Sequence, residues 1–206
     1  MVVPVMIRAV IFDMGGVLLR TEDTAPREKL AQQLGISRQA LEEAVFLSPS
    51  SKLAEVGEIS ESEHWQRVLD QFGVAEQERL AFREAFWSGD RVDHTLVNWL
   101  RSLRPAYKTG LLSNAWDEAR TSIQARFNFL DVFDVSLFSA EVGLRKPDER
   151  FYRLILDRLQ VEPQEAVFVD DFPANIEAAR QLGMQAVHFR SPQQALNDVR
   201  SLLNHR

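Results

Sequence analysis

Four short motifs set reactive side chains at the ends of apolar runs, and together they describe one kind of chemistry. Asp13 follows Ala9-Val10-Ile11-Phe12 and precedes Gly15 and Gly16, so its carboxylate stands at the carboxyl end of a strand, where parallel α/β sheets hold their ligands. It is the candidate nucleophile, and the Gly15 carbonyl two residues on can share a hard cation with it. Ser113 and Asn114 follow a second apolar run and offer hydrogen bonds to phosphoryl oxygens. Lys146 precedes Pro147, a helix-starting residue that fixes the ammonium near a carboxylate or a phosphate. Asp170 and Asp171 close a further apolar run, with Asn175 four positions after Asp171. Adjacent buried acids repel, so three carboxylates at neighbouring strand ends call for a divalent cation, and Mg²⁺ with oxygen ligands fits. Each motif alone also reads as a helix cap, a surface lysine or a solvated acidic loop. Four of them at the ends of different strands make coincidence a poor explanation.

The elements that must carry these groups are legible. Apolar runs at 8–12, 108–112, 134–138, 166–169 and 185–189 read as strands, and amphipathic stretches at 116–127, 149–159 and 174–182 as intervening helices. That alternation predicts a parallel sheet with right-handed crossovers. Between the first and second strands, 21–103 shows helical spacing and no strand run, with helices expected at 25–34, 38–47, 62–72 and 75–87. Ser48-Pro49-Ser50-Ser51 reads as a turn, and Ser88-Gly89-Asp90 as the return toward the core.

With 206 residues and 45% hydrophobic content the chain can build an α/β core without disulfides or structural metals. A net charge of −6 without a basic block argues against nucleic-acid binding. The absence of cysteine excludes thiol chemistry and predicts a cytoplasmic protein. The apolar start at 1–11, broken by Pro4 and Arg8, reads as first strand rather than as leader or membrane span. A homo-oligomer stays open.

In the order Phe-Asp-x-x-Gly-Val, Leu-Ser-Asn, Arg-Lys-Pro and Val-Asp-Asp-x-x-x-Asn, the chain resembles the haloacid dehalogenase superfamily across 13–184. The resemblance implies a Rossmann-like, doubly wound α/β core (1–19 and 92–206) with strand order 5-4-1-2-3 and an inserted all-helical cap (20–91). Phe-Asp-Met-Gly-Gly-Val-Leu, with Gly-Glu-Ile-Ser at 57–60, is similar to a subgroup of sugar-phosphate phosphatases. It implies that Asp13 forms an aspartyl-phosphate, that Asp13, the Gly15 carbonyl and Asp171 bind Mg²⁺, and that Asp170 holds metal-bound water. Ser113, Asn114 and Gly16 would bind the substrate, a small phosphorylated metabolite. Lys146 would bridge Asp13 and phosphate, and Asn175 would support the fourth motif.

One departure stands out. Phosphatases of this superfamily carry a second aspartate two residues after the nucleophile as general acid and base; here that residue is Gly15. Losing such a group costs about 10²- to 10⁴-fold in rate. His64 and Glu58, both in the expected cap, are the substitutes to test. The alternatives are a metal-independent 2-haloacid dehalogenase and a phosphate- or partner-binding homologue without turnover. Trp65, Phe72, Phe82, Phe86 and Trp87 can line a pocket under the cap, although their helical spacing favours a core.

Overall fold

A computed structural model describes residues 6–204 of the 206. Expectations that fall on 1–5, the first part of the apolar start 1–11, and on 205–206 lie outside the described residues.

The first apolar run forms β1 (Ala9–Phe12), buried throughout. Val10 and Phe12 join one hydrophobic cluster, Ala9 and Ile11 another. A strand covered on both faces has no polar side, hence the unbroken apolar run.

Beyond the turn that carries Asp13, β2 (Leu19–Thr21) leads into the helical unit: α1 (Ala25–Gln33), α2 (Arg38–Phe46), α3 (Pro49–Glu55), α4 (Glu61–Gln71) and α5 (Arg79–Trp87). β3 (Asp90–Val92) returns antiparallel to β2, pairing Leu19 with Val92 and Thr21 with Asp90. No strand was expected here, because three residues are too few to display an alternating pattern. Glu22 and Asp23 both donate backbone N–H bonds to the Gly89 carbonyl (3.1 and 3.2 Å). A Cβ on Gly89 would lie 1.9 Å from the Asp23 carbonyl oxygen, so only glycine fits this crossing of the two connections. The Ser-Pro-Ser-Ser segment is not a turn but the start of α3. Ser48 caps it by accepting from Ser51 N–H, and Pro49 fills a first-turn position that needs no donor. Ser37 and Ser60 cap α2 and α4 in the same way.

The remainder alternates as expected: α6 (His94–Leu103), β4 (Lys108–Ser113), α7 (Ala119–Phe127), β5 (Val135–Phe138), α8 (Ser139–Val142), α9 (Glu149–Leu159), β6 (Ala166–Asp170), α10 (Pro173–Gln181), β7 (Gln185–His188) and α11 (Pro192–Asn204). α6, α8 and α11 are additions to the helices that the periodicity marked. The sheet is parallel, in the order β5-β4-β1-β6-β7. The expected order 5-4-1-2-3 counts core strands alone, whereas β2 and β3 stand outside this sheet and shift the numbering. Leu96 and Leu100 of α6 and Val199 of α11 cover one face. Ile155 of α9 and Ile176 of α10 cover the other. The helical unit has a cluster of its own, built from Leu41, Val45, Trp65, Val68 and Phe86, and Trp116 from the loop after β4 reaches into it.

Candidate active site

β1, β4 and β6 run side by side, so the residues that follow or close them meet at one edge of the sheet. Asp13 prolongs the ladder, its N–H donating to the Val169 carbonyl at 2.8 Å. Lys146 is buried between two carboxylates, its Nζ 2.7 Å from Asp13 Oδ1 and 2.7 Å from Asp170 Oδ2. Asp170 is saturated: Asn175 Nδ2 donates to both its oxygens at 3.0 Å, and Phe172 N–H to Oδ1 at 2.7 Å. Asp170 thus anchors the lysine from behind, and Asn175 supports Asp170 directly.

Asn114 is committed elsewhere than expected. Its Nδ2 donates to the Lys146 carbonyl at 3.0 Å and its Oδ1 accepts the Lys146 N–H at 2.8 Å, so both ends of the amide hold the lysine's backbone. Ser113, by contrast, lines the cleft.

Carboxylate oxygens of Asp13, Asp170 and Asp171 lie within 4.8 Å of one another. One ammonium faces three acids, and the imbalance shows in their titration. Burial pushes Asp13 up to about 8, against the pull of Lys146 and with further push from Asp170 and Asp171. Asp171 is raised by burial and by Asp170. Burial opposes the Lys146 charge, but Asp13 and Asp170 outweigh it and hold its pKa above the ordinary lysine value. Asp171 Oδ1 is buried without a hydrogen-bond partner among the described residues. An excess of buried negative charge with one orphaned carboxylate oxygen is what a hard divalent cation satisfies, so these residues fit Mg²⁺.

Gly16 packs against this group. Its φ is +75°, and a Cβ there would lie 2.2 Å from Asp171 Oδ2. Gly16→Ala should therefore displace that carboxylate, costing about 1–3 kcal/mol of stability and about tenfold or more in divalent-cation affinity. Urea unfolding and calorimetric Mg²⁺ titration check this; wild-type affinity in the variant would refute it.

A cleft of about 1520 Å³ opens above the site, lined by Asp13, Gly15, Gly16, Ser113, Lys146 and Asp171 on one side and by α2 and α5 residues on the other. His64 and Glu58 are not among its lining residues. His64 is fully buried, with Nδ1 2.9 Å from Ser50 Oγ and Nε2 2.9 Å from the Val45 carbonyl; burial lowers its pKa. Both ring nitrogens are spent on structure. Glu58 is exposed and does not line the cleft. Neither is placed to replace the missing acid. Trp65, Phe82 and Phe86 are buried in the helical unit, and Phe72 packs beside them. Trp87 alone of the five aromatics lines the cleft.

Sequence reasoning missed Phe46 and Trp116 as cleft residues. Trp116 follows Ser113 by three positions and falls within the helix expected at 116–127, whereas that helix begins at Ala119. Its place in a loop just past a strand end was the available signal.

A family model described as haloacid dehalogenase-like hydrolase matches residues 7–183. The chain belongs to the haloacid dehalogenase-like hydrolases. Among curated relatives, bifunctional epoxide hydrolase 2 of Sus scrofa is 28% identical over 94% of the chain, which spans 38% of that longer protein. Phosphorylated carbohydrates phosphatase of Thermotoga maritima is 29% identical, with 95% of this chain and 89% of the relative covered. A haloacid dehalogenase-family enzyme of Bacteroides thetaiotaomicron, solved with magnesium and inorganic phosphate, superposes with a TM-score of 0.74 at 23% identity, covering 90% of this chain and 96% of that one. This structural likeness carries the fold. In this haloacid dehalogenase-like hydrolase Asp13, Lys146, Asp170 and Asp171 meet at one edge of the sheet. No helix among the described residues is long and apolar enough to cross a membrane.

Proposed function

We propose that this haloacid dehalogenase-like hydrolase is a Mg²⁺-dependent phosphohydrolase that releases phosphate from a small phosphorylated metabolite. The observation that carries it is the buried Lys146 ammonium 2.7 Å from Asp13, beside the orphaned Asp171 oxygen, at the floor of a large cleft. A metal-free dehalogenase has no need of three clustered acids. The similarity to a carbohydrate-phosphate phosphatase over nearly the whole chain supports the same reading.

Asp13, the Gly15 carbonyl and Asp171 would hold Mg²⁺, with Asp170 behind them. The ion would supply positive charge that lets an anionic nucleophile approach an anionic substrate. Lys146 orients Asp13 and shares that neutralisation. An Asp13 oxygen attacks phosphorus, the bond to the leaving oxygen breaks, and water then cleaves the aspartyl-phosphate. Ser113 binds a phosphoryl oxygen. Asn114 acts one step removed, by fixing the Lys146 backbone. Among the described residues, 20–91 form a cap over a core made of 6–19 and 92–204, and the two connections between them cross at Gly89.

Phosphate release from p-nitrophenyl phosphate, dependent on Mg²⁺, is the expected result; halide release from a 2-haloacid in EDTA without phosphatase activity would replace this reading. Gly15 defines a further expectation. A Cβ on Gly15 meets nothing within 4 Å and its φ is not positive, so Gly15→Asp fits without strain. It should raise turnover of glycerol phosphate, a poor leaving group, by about 10²-fold and that of p-nitrophenyl phosphate far less. Equal effects on both esters would show that leaving-group protonation is not what the wild type lacks.

A further inference from the structure

The cleft's outer walls are apolar in a way the phosphate chemistry does not require. Four large hydrophobic side chains are exposed among the described residues, and three of them line this one opening: Leu47 (56% exposed), Leu80 (68%) and Phe172 (55%). A single exposed leucine needs no explanation, whereas three gathered round a cleft form a patch that marks a binding surface. Deeper in, Phe46, Trp87 and Trp116 make a continuous aromatic wall, with ring centroids 5.7 Å apart for Phe46 and Trp87, 6.3 Å for Phe46 and Trp116, and 6.1 Å for Trp87 and Trp116. Trp116 enters this wall from the α/β unit, so the wall begins three residues from Ser113.

Three of the cleft's arginines are turned toward acids beside that wall, while Lys52 and Arg126 line the cleft without an ion pair among the described residues. Arg27 is 2.8 Å from Asp90 and 3.2 Å from Glu42, Arg83 is 3.1 Å from Glu61, and Arg145 is 2.6 Å from Glu55. Cations spent on these pairs are not free for a second phosphate, and their acids are not free to accept from a hydroxyl-rich sugar. The volume, about 1520 Å³, exceeds the range of about 300–1000 Å³ usual for small ligands. A phosphate alone would leave most of it empty.

We propose that the substrate is an amphiphile: a monoester with one phosphate at Asp13 and Lys146 and a hydrocarbon body lying along Phe46, Trp87 and Trp116 toward Leu47 and Leu80. This rests on the reading of the Asp13 end as a phosphate site. It replaces a sugar phosphate, the first expectation for this subgroup, with a hydrocarbon phosphate.

Non-hydrolysable n-alkylphosphonates test it by calorimetry in Mg²⁺, with p-nitrophenyl phosphate turnover measured in parallel. From ethyl to octyl, the Kd should fall about two- to fourfold per methylene, and octylphosphonate should bind more tightly than glucose 6-phosphate. The double variant Leu47→Ser, Leu80→Ser, changed only at exposed positions, should flatten that slope. A Kd independent of chain length, absence of alkylphosphonate binding, or tighter binding of glucose 6-phosphate overturns the proposal even when p-nitrophenyl phosphate is hydrolysed. A steep series without phosphate release would retain the amphiphile and remove the phosphohydrolase.

Discussion

Asp13→Asn lowers Mg²⁺-dependent phosphate release from p-nitrophenyl phosphate by about 10⁴-fold or more and leaves the fold intact. An amide cannot attack phosphorus, and loss of a nucleophile generally removes almost all of the covalent route. The fold survives because the Asn oxygen can still accept from Met14 N–H, which is 2.7 Å from Asp13 Oδ1, while Lys146 keeps Asp170. Stability should respond to pH in a defined direction. Without metal, the folded Asp13 holds its proton up to about 8, against an ordinary value of 3.8. Between those values the folded state binds more protons than the unfolded one, so the wild type loses stability as pH rises through that window. Asp13→Asn should flatten this slope in EDTA, and Mg²⁺ should stabilise the wild type more than the variant. Urea titrations at pH 5 and pH 8, with and without Mg²⁺, measure all of this. Retained phosphate release would end the nucleophile assignment.

What the sequence disclosed and what it hid follow from the range of the interactions involved. β1 and β6 were legible because burial on both faces makes their runs continuously apolar, and Asp13 and Asp170 mark where each run stops. The serine caps of α2 and α4 were legible because a cap acts within three residues. Ser48-Pro49 was misread because a serine and proline cluster serves a turn and a helix start equally well. Partners distant in the chain could not be read at all. Asn114 and Lys146 are 32 positions apart, and nothing local shows that the amide grips backbone rather than phosphate. His64 resembled an available acid until Ser50 and Val45 took up both of its nitrogens. Trp116 carries the same lesson, since a residue that leaves one unit to pack in another has no periodic signal in either.

The largest effect on stability belongs to Lys146. Lys146→Met leaves the Asp13, Asp170 and Asp171 carboxylates facing one another with no ammonium between them, in a position where the lysine is almost fully buried. Breaking a buried charge cluster by removing one partner costs about 3–5 kcal/mol, because the remaining charges stay desolvated and unpaired. That loss should appear in EDTA and grow as pH rises past about 8: Lys146 pulls the Asp13 pKa down, so the variant's Asp13 keeps its proton after the wild type's has ionised. Mg²⁺ should restore part of the stability without restoring turnover, since a cation can replace the ammonium's charge but not its hold on the Asp13 oxygen. Phosphate release should fall by about 10²- to 10³-fold. Combining Lys146→Met with Asp13→Asn separates charge from packing: if repulsion among uncompensated acids is the cause, the double variant is more stable than Lys146→Met alone at pH 8. Simple addition of the two losses would instead assign the cost to the space that the lysine fills.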